Sequence, residues 1–158
     1  MAGAGHFVYL DAGHSRWRPA AEMSERLHAA GIADAEGFSV NVSNRQSTAD
    51  SHRYATELSA LTGGRDAVID TSRNGLPAPP DDQWCNPAQQ GLGERPAVDP
   101  GLDHVAAQLW VKRPGESDGA CGTETSAEEF SPRQAQTLIV NAAWVPESTR
   151  RQAAEAEI

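Results

Sequence analysis

The sequence predicts an α/β protein in which helices cover a parallel sheet. Short apolar runs of strand length alternate with amphipathic segments of helical periodicity over the first half of the chain. Glycine or proline stands at most of the boundaries between them. Because strands and helices alternate in this order, we expect parallel strands joined by helical crossovers.

The first half is predicted as strand, helix, strand, helix, strand. Pro19 can occupy the first turn of the first helix, which Gly31 ends, and Ser47 or Thr48 can cap the second helix, which ends before Gly63. The three strands are predicted at 7–10, 38–42 and 67–70.

Two irregular stretches divide the second half. Residues 75–102 are rich in proline, glycine, aspartate and glutamine, and loops of that length are usually functional or disordered. A fourth strand at 105–111 follows, then a second irregular stretch at 113–129. The last helix should start near Ser131 and Pro132. We expect residues 146–158, which are polar, to be a disordered tail.

Composition limits both the core and the partners. The 158 residues carry a formal charge of −9, which disfavours nucleic acid and anionic membrane surfaces as partners. Phe, Ile, Leu and Val together number 25 of the 158 residues. That is about 16%, below the roughly 20% under which a highly charged sequence is typical of a disordered chain, so a self-sufficient core is in doubt. No apolar stretch approaches the ~20 residues of a membrane span, and residues 1–9 lack the features of a signal peptide. Spacing leaves open whether Cys85 and Cys121 form a disulfide or are free thiols.

Polar side chains follow each predicted strand at its carboxyl end. In parallel α/β folds ligand sites gather at that edge, so we expect these residues to face one cleft. The alternative is that polar residues simply begin where strands stop. The residues concerned are Asp11, His14, Asn44, Asp70, Arg73, Lys112, Glu116 and Asp118.

Tryptophan near these clusters indicates a saccharide ligand. Trp17 and Trp84 fall in predicted loops, where an aromatic face can stack on a sugar ring while amides and carboxylates bind its hydroxyls. Trp110 and Trp144 are more simply explained by packing.

The segment 112–119 is the densest charged cluster. Nearby cations would keep Asp118 ionised at neutral pH, as a general base requires, although a solvated charged loop would have the same composition. The segment 70–75 is open to two interpretations, an arginine-clamped site or an Asx turn. No phosphate-binding glycine motif and no metal-ligand spacing is present, so these patterns predict neither a phosphate-binding loop nor a metal site.

Taken together, five motifs resemble glycoside hydrolase family 6, the inverting β-1,4-glucanases. They are Tyr9-Leu-Asp-Ala-Gly-His14, Asn41-Val-Ser-Asn44, Val68-Ile-Asp-Thr-Ser-Arg-Asn-Gly75, Trp84-Cys-Asn-Pro87 and Leu109-Trp-Val-Lys-Arg-Pro-Gly-Glu-Ser-Asp-Gly119. The resemblance extends from Val8 to about Ala143. It implies a distorted TIM-like α/β barrel, secretion, and hydrolysis of cellulose-type chains without a cofactor.

Site roles are implied by the same resemblance. Asp118 matches the catalytic base, and Cys85 and Cys121 match a disulfide. Asp11 matches a cleft carboxylate with a supporting role. The residues that match substrate-binding positions are His14, Trp17, Asn44, Trp84, Lys112 and Glu116.

The sequence also departs from the family pattern. Arg16 stands where glycine is usual, Arg45 replaces an aromatic residue, and 76–78 departs from a glycine-rich continuation. The family domain extends upstream of the strand predicted at 7–10, and that part carries the first barrel strands and the general acid.

Residues 1–145 are therefore expected to form the carboxyl-terminal part of a glucanase catalytic domain with its amino-terminal strands missing. The expected function is inverting hydrolysis of β-1,4-glucosidic bonds, impaired by the absent acid. The alternatives are a glucan-binding remnant that does not cleave, or a fragment that does not fold independently.

Overall fold

A sheet that is parallel except at one edge forms the centre of the structure, a computed structural model that describes residues 6–80, 83–121 and 125–156. Its strands are β1 (Tyr9–Asp11), β2 (Gly37–Val40), β3 (Asp66–Asp70), β4 (Ala97–Val98) and β5 (Val105–Leu109). They lie in the order β1-β2-β3-β5-β4, and only the β4–β5 pair is antiparallel. The predicted mixed α/β class with a mainly parallel sheet is confirmed. Within the described residues the sheet is open, so the partial barrel stays a prediction.

Four α-helices accompany the sheet in the described ranges: α1 (Ala20–Ala29), α2 (Thr48–Leu61), α3 (Pro132–Val140) and α4 (Glu147–Glu155). The predicted start signals are confirmed for two of them. Ser47 Oγ accepts a hydrogen bond from the Asp50 amide at 3.0 Å, and Ser131 Oγ accepts one from the Gln134 amide at 3.4 Å. None of the helices in the described part of the chain has the length and hydropathy for a membrane crossing.

The apolar core of the described residues lies in two clusters. The larger one packs α1 and α2 against the sheet, with Phe38, Leu58 and Ile69 fully buried at its centre. The smaller one holds Leu138 on α3 against Leu92 and the half-buried tryptophans. Five of the fourteen buried residues of the larger cluster are alanine, in keeping with the low count of large apolar residues in the sequence.

Several boundaries differ from the prediction. Phe7 is 79% exposed and precedes β1, so the apolar run at 7–10 is only partly strand. The irregular stretch 75–102 contains β4, whose two residues are both exposed and therefore carry no burial pattern. The tail that was expected to be disordered forms the helix α4. Its sequence shows no apolar face, and none of the residues of this helix is buried. The division at residue 145 stays a prediction.

Candidate functional site

Asp70 ties together the loops at the carboxyl ends of three parallel strands. Its side chain is fully buried and accepts backbone hydrogen bonds from Ser43 (3.0 Å), Ser72 (2.9 Å) and Lys112 (3.1 Å). These three amides follow β2, β3 and β5. Of the two interpretations of segment 70–75, the Asx turn holds for Asp70, whose bond to Ser72 is of that type.

Asp118 is held between two arginines beside this junction. Its Oδ1 lies 2.7 Å from Arg73 Nη1 and its Oδ2 lies 2.8 Å from Arg45 Nη2, while Lys112 Nζ is 3.9 Å from Oδ1. The carboxylate side chain is only 8% exposed. Burial alone would raise the pKa of Asp118, but Arg73 and Arg45 together hold it below its ordinary value. Asp118 is therefore ionised at neutral pH, and Arg73 clamps this carboxylate rather than that of Asp70.

Arg45 connects Asp118 to the loop that carries Trp84. Its guanidinium donates to the Trp84 carbonyl at 2.9 Å and to Gln90 Oε1 at 3.2 and 3.3 Å, besides the bond to Asp118. Burial, assisted by the neighbouring Arg73, lowers the pKa of Arg45 to about 10. Arg45 still carries its charge at neutral pH, so Asp118 faces two full cations.

A second connection joins the same two loops through Asn86 and a disulfide. The Asp118 amide donates to Asn86 Oδ1 at 2.7 Å, and the Asn86 amide donates to Asp118 Oδ2 at 3.1 Å. The disulfide between Cys85 and Cys121 is present, so that prediction is confirmed. Trp84 and Asp118 therefore lie at fixed positions relative to each other.

The largest concentration of predicted substrate-binding residues surrounds one cavity of about 220 Å³ at the carboxyl edge. Trp17 and Trp84 are 54% and 62% exposed there. Gly13 lies against the Trp17 ring with φ +66°, and a Cβ on it would come within 2.3 Å of Trp17 Cε3. The cavity is lined by His14, Arg16, Trp17, Asn44, Arg45, Gln46, Pro79, Pro80 and Trp84.

The remaining predicted site residues lie outside that lining. Lys112 Nζ and Glu116 Oε1 are 2.6 Å apart, and hydrogen bonds from Lys112 and Arg113 hold the pKa of Glu116 below its ordinary value. Asp11 is exposed, and its Oδ1 accepts a hydrogen bond from the Gly13 amide at 2.8 Å. Asp11 therefore shapes the loop that carries Trp17, and its supporting role in the cleft stays a prediction.

Sequence reasoning missed Asn86, Gln90 and the part played by Arg45. Asn86 belongs to the motif Trp84-Cys-Asn-Pro87, and Arg45 departs from the family pattern, so the sequence marked both positions as candidates for the site. Gln90 lay in an irregular stretch without one. Among the described residues no group of three or more His, Cys, Asp or Glu side chains could hold a metal ion.

Fold and site together define an α/β protein with an aromatic-walled cavity and a buried, ionised carboxylate at the carboxyl edge of a parallel sheet. Residues 3–146 match the model of glycosyl hydrolases family 6. The chain belongs to this family.

Relatives within the family include both endoglucanases and cellobiohydrolases. Endoglucanase A of Cellulomonas fimi is 45% identical over 137 residues, which are 87% of this chain and 30% of that protein. A probable 1,4-β-D-glucan cellobiohydrolase C of Aspergillus niger is 34% identical over 154 residues, covering 78% of this chain and 33% of the relative.

Solved structures show the same fold. The endoglucanase Cel6 from Mycobacterium tuberculosis, in complex with methyl-cellobiosyl-4-deoxy-4-thio-β-D-cellobioside, superposes with a TM-score of 0.81 at 47% identity, over 85% of this chain and 47% of that one. Endoglucanase CEL6B from Humicola insolens gives a TM-score of 0.80 at 27% identity, over 90% and 51% of the two chains. The chain thus spans about half of these structures and less than half of the curated relatives above.

Proposed function

We propose that this chain is the carboxyl-terminal part of a catalytic domain that hydrolyses β-1,4-glucosidic bonds in cellulose-type polysaccharides with inversion. In this proposal the open sheet is one part of a distorted TIM-like barrel. Family membership and the endoglucanase relatives support it. The observation that carries it is that Arg45 both lines the aromatic cavity and bonds to Asp118, so the ionised carboxylate lies one side chain away from the cavity.

In the reaction, Trp17 and Trp84 would stack on sugar rings while His14 and Asn44 bind hydroxyl groups. Lys112 and Glu116 would contact the sugar near the base. Asp118 would accept a proton from the water whose oxygen attacks the anomeric carbon. Because the carboxylate is buried behind Arg45, that proton would reach it through a short chain of waters.

An inverting enzyme also needs a general acid, at roughly 6.5–9.5 Å from the base, to protonate the departing oxygen. We assign the acid to the part of the family domain that lies outside the half this chain matches. The chain alone should then bind glucan and cleave it slowly, because no general acid assists the departing oxygen, and this slow cleavage should depend on Asp118.

A second candidate function, glucan binding without cleavage, is favoured by the surroundings of Asp118. Both of its carboxylate oxygens are paired with arginine, and Asn86 also donates to Oδ2. A carboxylate that already accepts hydrogen bonds from two arginines and a backbone amide is a weaker proton acceptor, which would leave the cavity as a binding site only.

Two measurements on the purified chain separate these functions. Release of reducing ends from amorphous cellulose, abolished in Asp118→Asn but not in the exposed control Asp103→Asn, would establish hydrolysis. Retardation in glucan gels, lost in Trp84→Ala but not in the exposed control Phe7→Ala, would establish binding. Binding without release of reducing ends supports the second candidate. Neither retardation nor hydrolysis by a folded chain would refute both.

A further inference from the structure

The side chain of Asn86 contacts the chain on both sides of Asp118. Its Nδ2 donates to Ser117 Oγ at 3.1 Å and to the Gly119 carbonyl at 2.7 Å. Between these two contacts, its Oδ1 accepts a hydrogen bond from the Asp118 amide at 2.7 Å. One carboxamide group, with its donor and its acceptor both in use, therefore holds the backbone from which the Asp118 carboxylate extends.

The backbone of Asn86 adds a contact to the carboxylate itself. Its amide donates to Asp118 Oδ2 at 3.1 Å, the same oxygen that accepts a hydrogen bond from Arg45. The φ angle of Asn86 is +44°, in the left-handed region that asparagine adopts more readily than most residues. Asparagine thus suits this position through its backbone conformation as well as through its side chain.

The disulfide is a less direct constraint on Asp118. Cys121 is three residues beyond Asp118, and Gly119 lies between them with φ +142°. Because glycine has more backbone freedom than any other residue, the covalent bond at Cys121 fixes the far end of the loop rather than the carboxylate. Arg73 and Arg45 bind the carboxylate oxygens, so they do not orient the backbone that carries them.

We propose that Asn86 is a positioning residue for Asp118, and that its side chain, rather than the disulfide, places the carboxylate between the two arginines. The inference rests on the proposed hydrolytic function, in which Asp118 is the base. A base must lie within hydrogen-bond reach of the proton that it takes up, directly or through water, so its position matters more for turnover than for sugar binding. Trp17 and Trp84, which provide the stacking faces, line the cavity and are separate from this carboxamide.

NMR titration of the Asp118 carboxyl carbon, together with hydrogen exchange of the Asp118 amide, tests this position directly. Asn86→Gly removes the side chain and still accommodates the positive φ. In this variant the Asp118 amide should exchange about fivefold faster, as expected when one net hydrogen bond is lost. The pKa of Asp118 should rise, because the contacts with Arg73 and Arg45 that hold it low would loosen. The double variant Cys85→Ser, Cys121→Ser should change neither quantity.

Two control variants separate position from general stability. Ser59→Ala removes a hydrogen bond of 3.1 Å to His104 Nδ1 from a fully buried residue near the carboxyl end of α2, so it should change neither quantity. Asn86→Asp keeps the Oδ1 acceptor and loses the Nδ2 donor, so it should retain part of the protection of the Asp118 amide. If Asn86→Gly does not fold, chemical reduction of the disulfide in the wild-type chain keeps the test decisive, since the Asp118 amide should stay protected.

Slow hydrolysis of cellotetraose by the chain gives the functional measurement. Asn86→Gly should lower kcat about tenfold or more and leave KM within about twofold, because a displaced base reaches the attacking water less often while the sugar is still bound. Ser59→Ala should leave both constants unchanged.

The outcomes separate this inference from the proposed function. Faster exchange and a raised Asp118 pKa in Asn86→Gly, with neither change in the double cysteine variant, support the assignment. Equal changes in the cysteine variant or in Ser59→Ala, or no change in Asn86→Gly, would overturn it. A wild-type chain that binds cellotetraose and releases no reducing ends would overturn the proposed hydrolysis, while exchange and titration would still decide what positions Asp118.

Discussion

Replacing Arg45 with glutamine should weaken the clamp on Asp118 and destabilise the chain. The pair is buried, with side chains 5% and 8% exposed and 2.8 Å between Arg45 Nη2 and Asp118 Oδ2. Removing one partner of a buried ion pair costs about 3–5 kcal/mol, because the other charge is left without compensation. Arg73 remains 2.7 Å from Oδ1, so the loss should fall at the lower end, about 3 kcal/mol.

The pH dependence of this loss has a definite sign. The pKa of Asp118 is held below its ordinary value in the folded chain, so its pairing stabilises the fold above the unfolded pKa of about 3.9. That contribution is lost as the pH falls through the folded pKa. The difference in unfolding free energy between wild type and Arg45→Gln should therefore be constant near neutral pH and shrink only below about pH 4.

Urea unfolding at neutral and acidic pH, followed by tryptophan fluorescence, measures this difference. The matched control is Arg151→Gln, whose exposed pair with Glu147 at 3.9 Å should contribute less than about 0.5 kcal/mol. A double-mutant cycle with Asp118→Asn isolates the pair from the bonds that Arg45 makes to Trp84 and Gln90. An Arg45→Gln loss no larger than the control, or a coupling free energy near zero, would refute the reasoning.

Two further predictions concern the loops at the carboxyl edge. Gly13→Ala and Gly31→Ala should each lower the unfolding free energy by about 1 kcal/mol, because both glycines have positive φ. Only Gly13→Ala should also weaken glucan binding. The reason is that a Cβ on Gly13 would displace the Trp17 ring, whereas one on Gly31 would face open space. Equal glucan affinity in the two variants would contradict this. Asp70→Asn should lower the unfolding free energy by about 2–3 kcal/mol, because an amide oxygen cannot accept all three backbone bonds, and a Tm equal to that of wild type would contradict it.

The elements that the sequence predicted well are those whose signals are local. The Ser47 cap and the apolar stripe of α2 lie within a single helix, so periodicity and capping were sufficient to place it. The strand β4 could not be found in this way, because its two exposed residues owe their conformation to pairing with β5. Residues 147–155 carry no apolar stripe that would predict α4 either, because no side chain of that helix is buried.

The candidate site could be located from the sequence but not assembled from it. Parallel topology places every strand end at one edge, and for this reason His14, Trp17, Asn44 and Trp84 were predicted near one another and do line one cavity. Pairing within the site depends on contacts between distant segments. Composition around 112–119 suggested local cations for Asp118, whereas its strongest partners, Arg73 and Arg45, are 45 and 73 residues away along the chain.

The polar interior at the carboxyl edge explains how so few large apolar residues accompany this fold. Arg73 is the largest fully buried side chain of the described residues, and Asp70 is buried nearby without any exposure. Buried charges of this kind stabilise a fold only while every partner is in place, since the desolvation of each ion roughly offsets its pairing. The carboxyl edge therefore gains a fixed geometry from its ion pairs and little net stability. Substitutions of these charged residues should therefore lower the unfolding free energy by more than the small apolar area they bury implies. The loops that carry Trp84 and Asp118 are held by ion pairs and a disulfide rather than by a hydrophobic core.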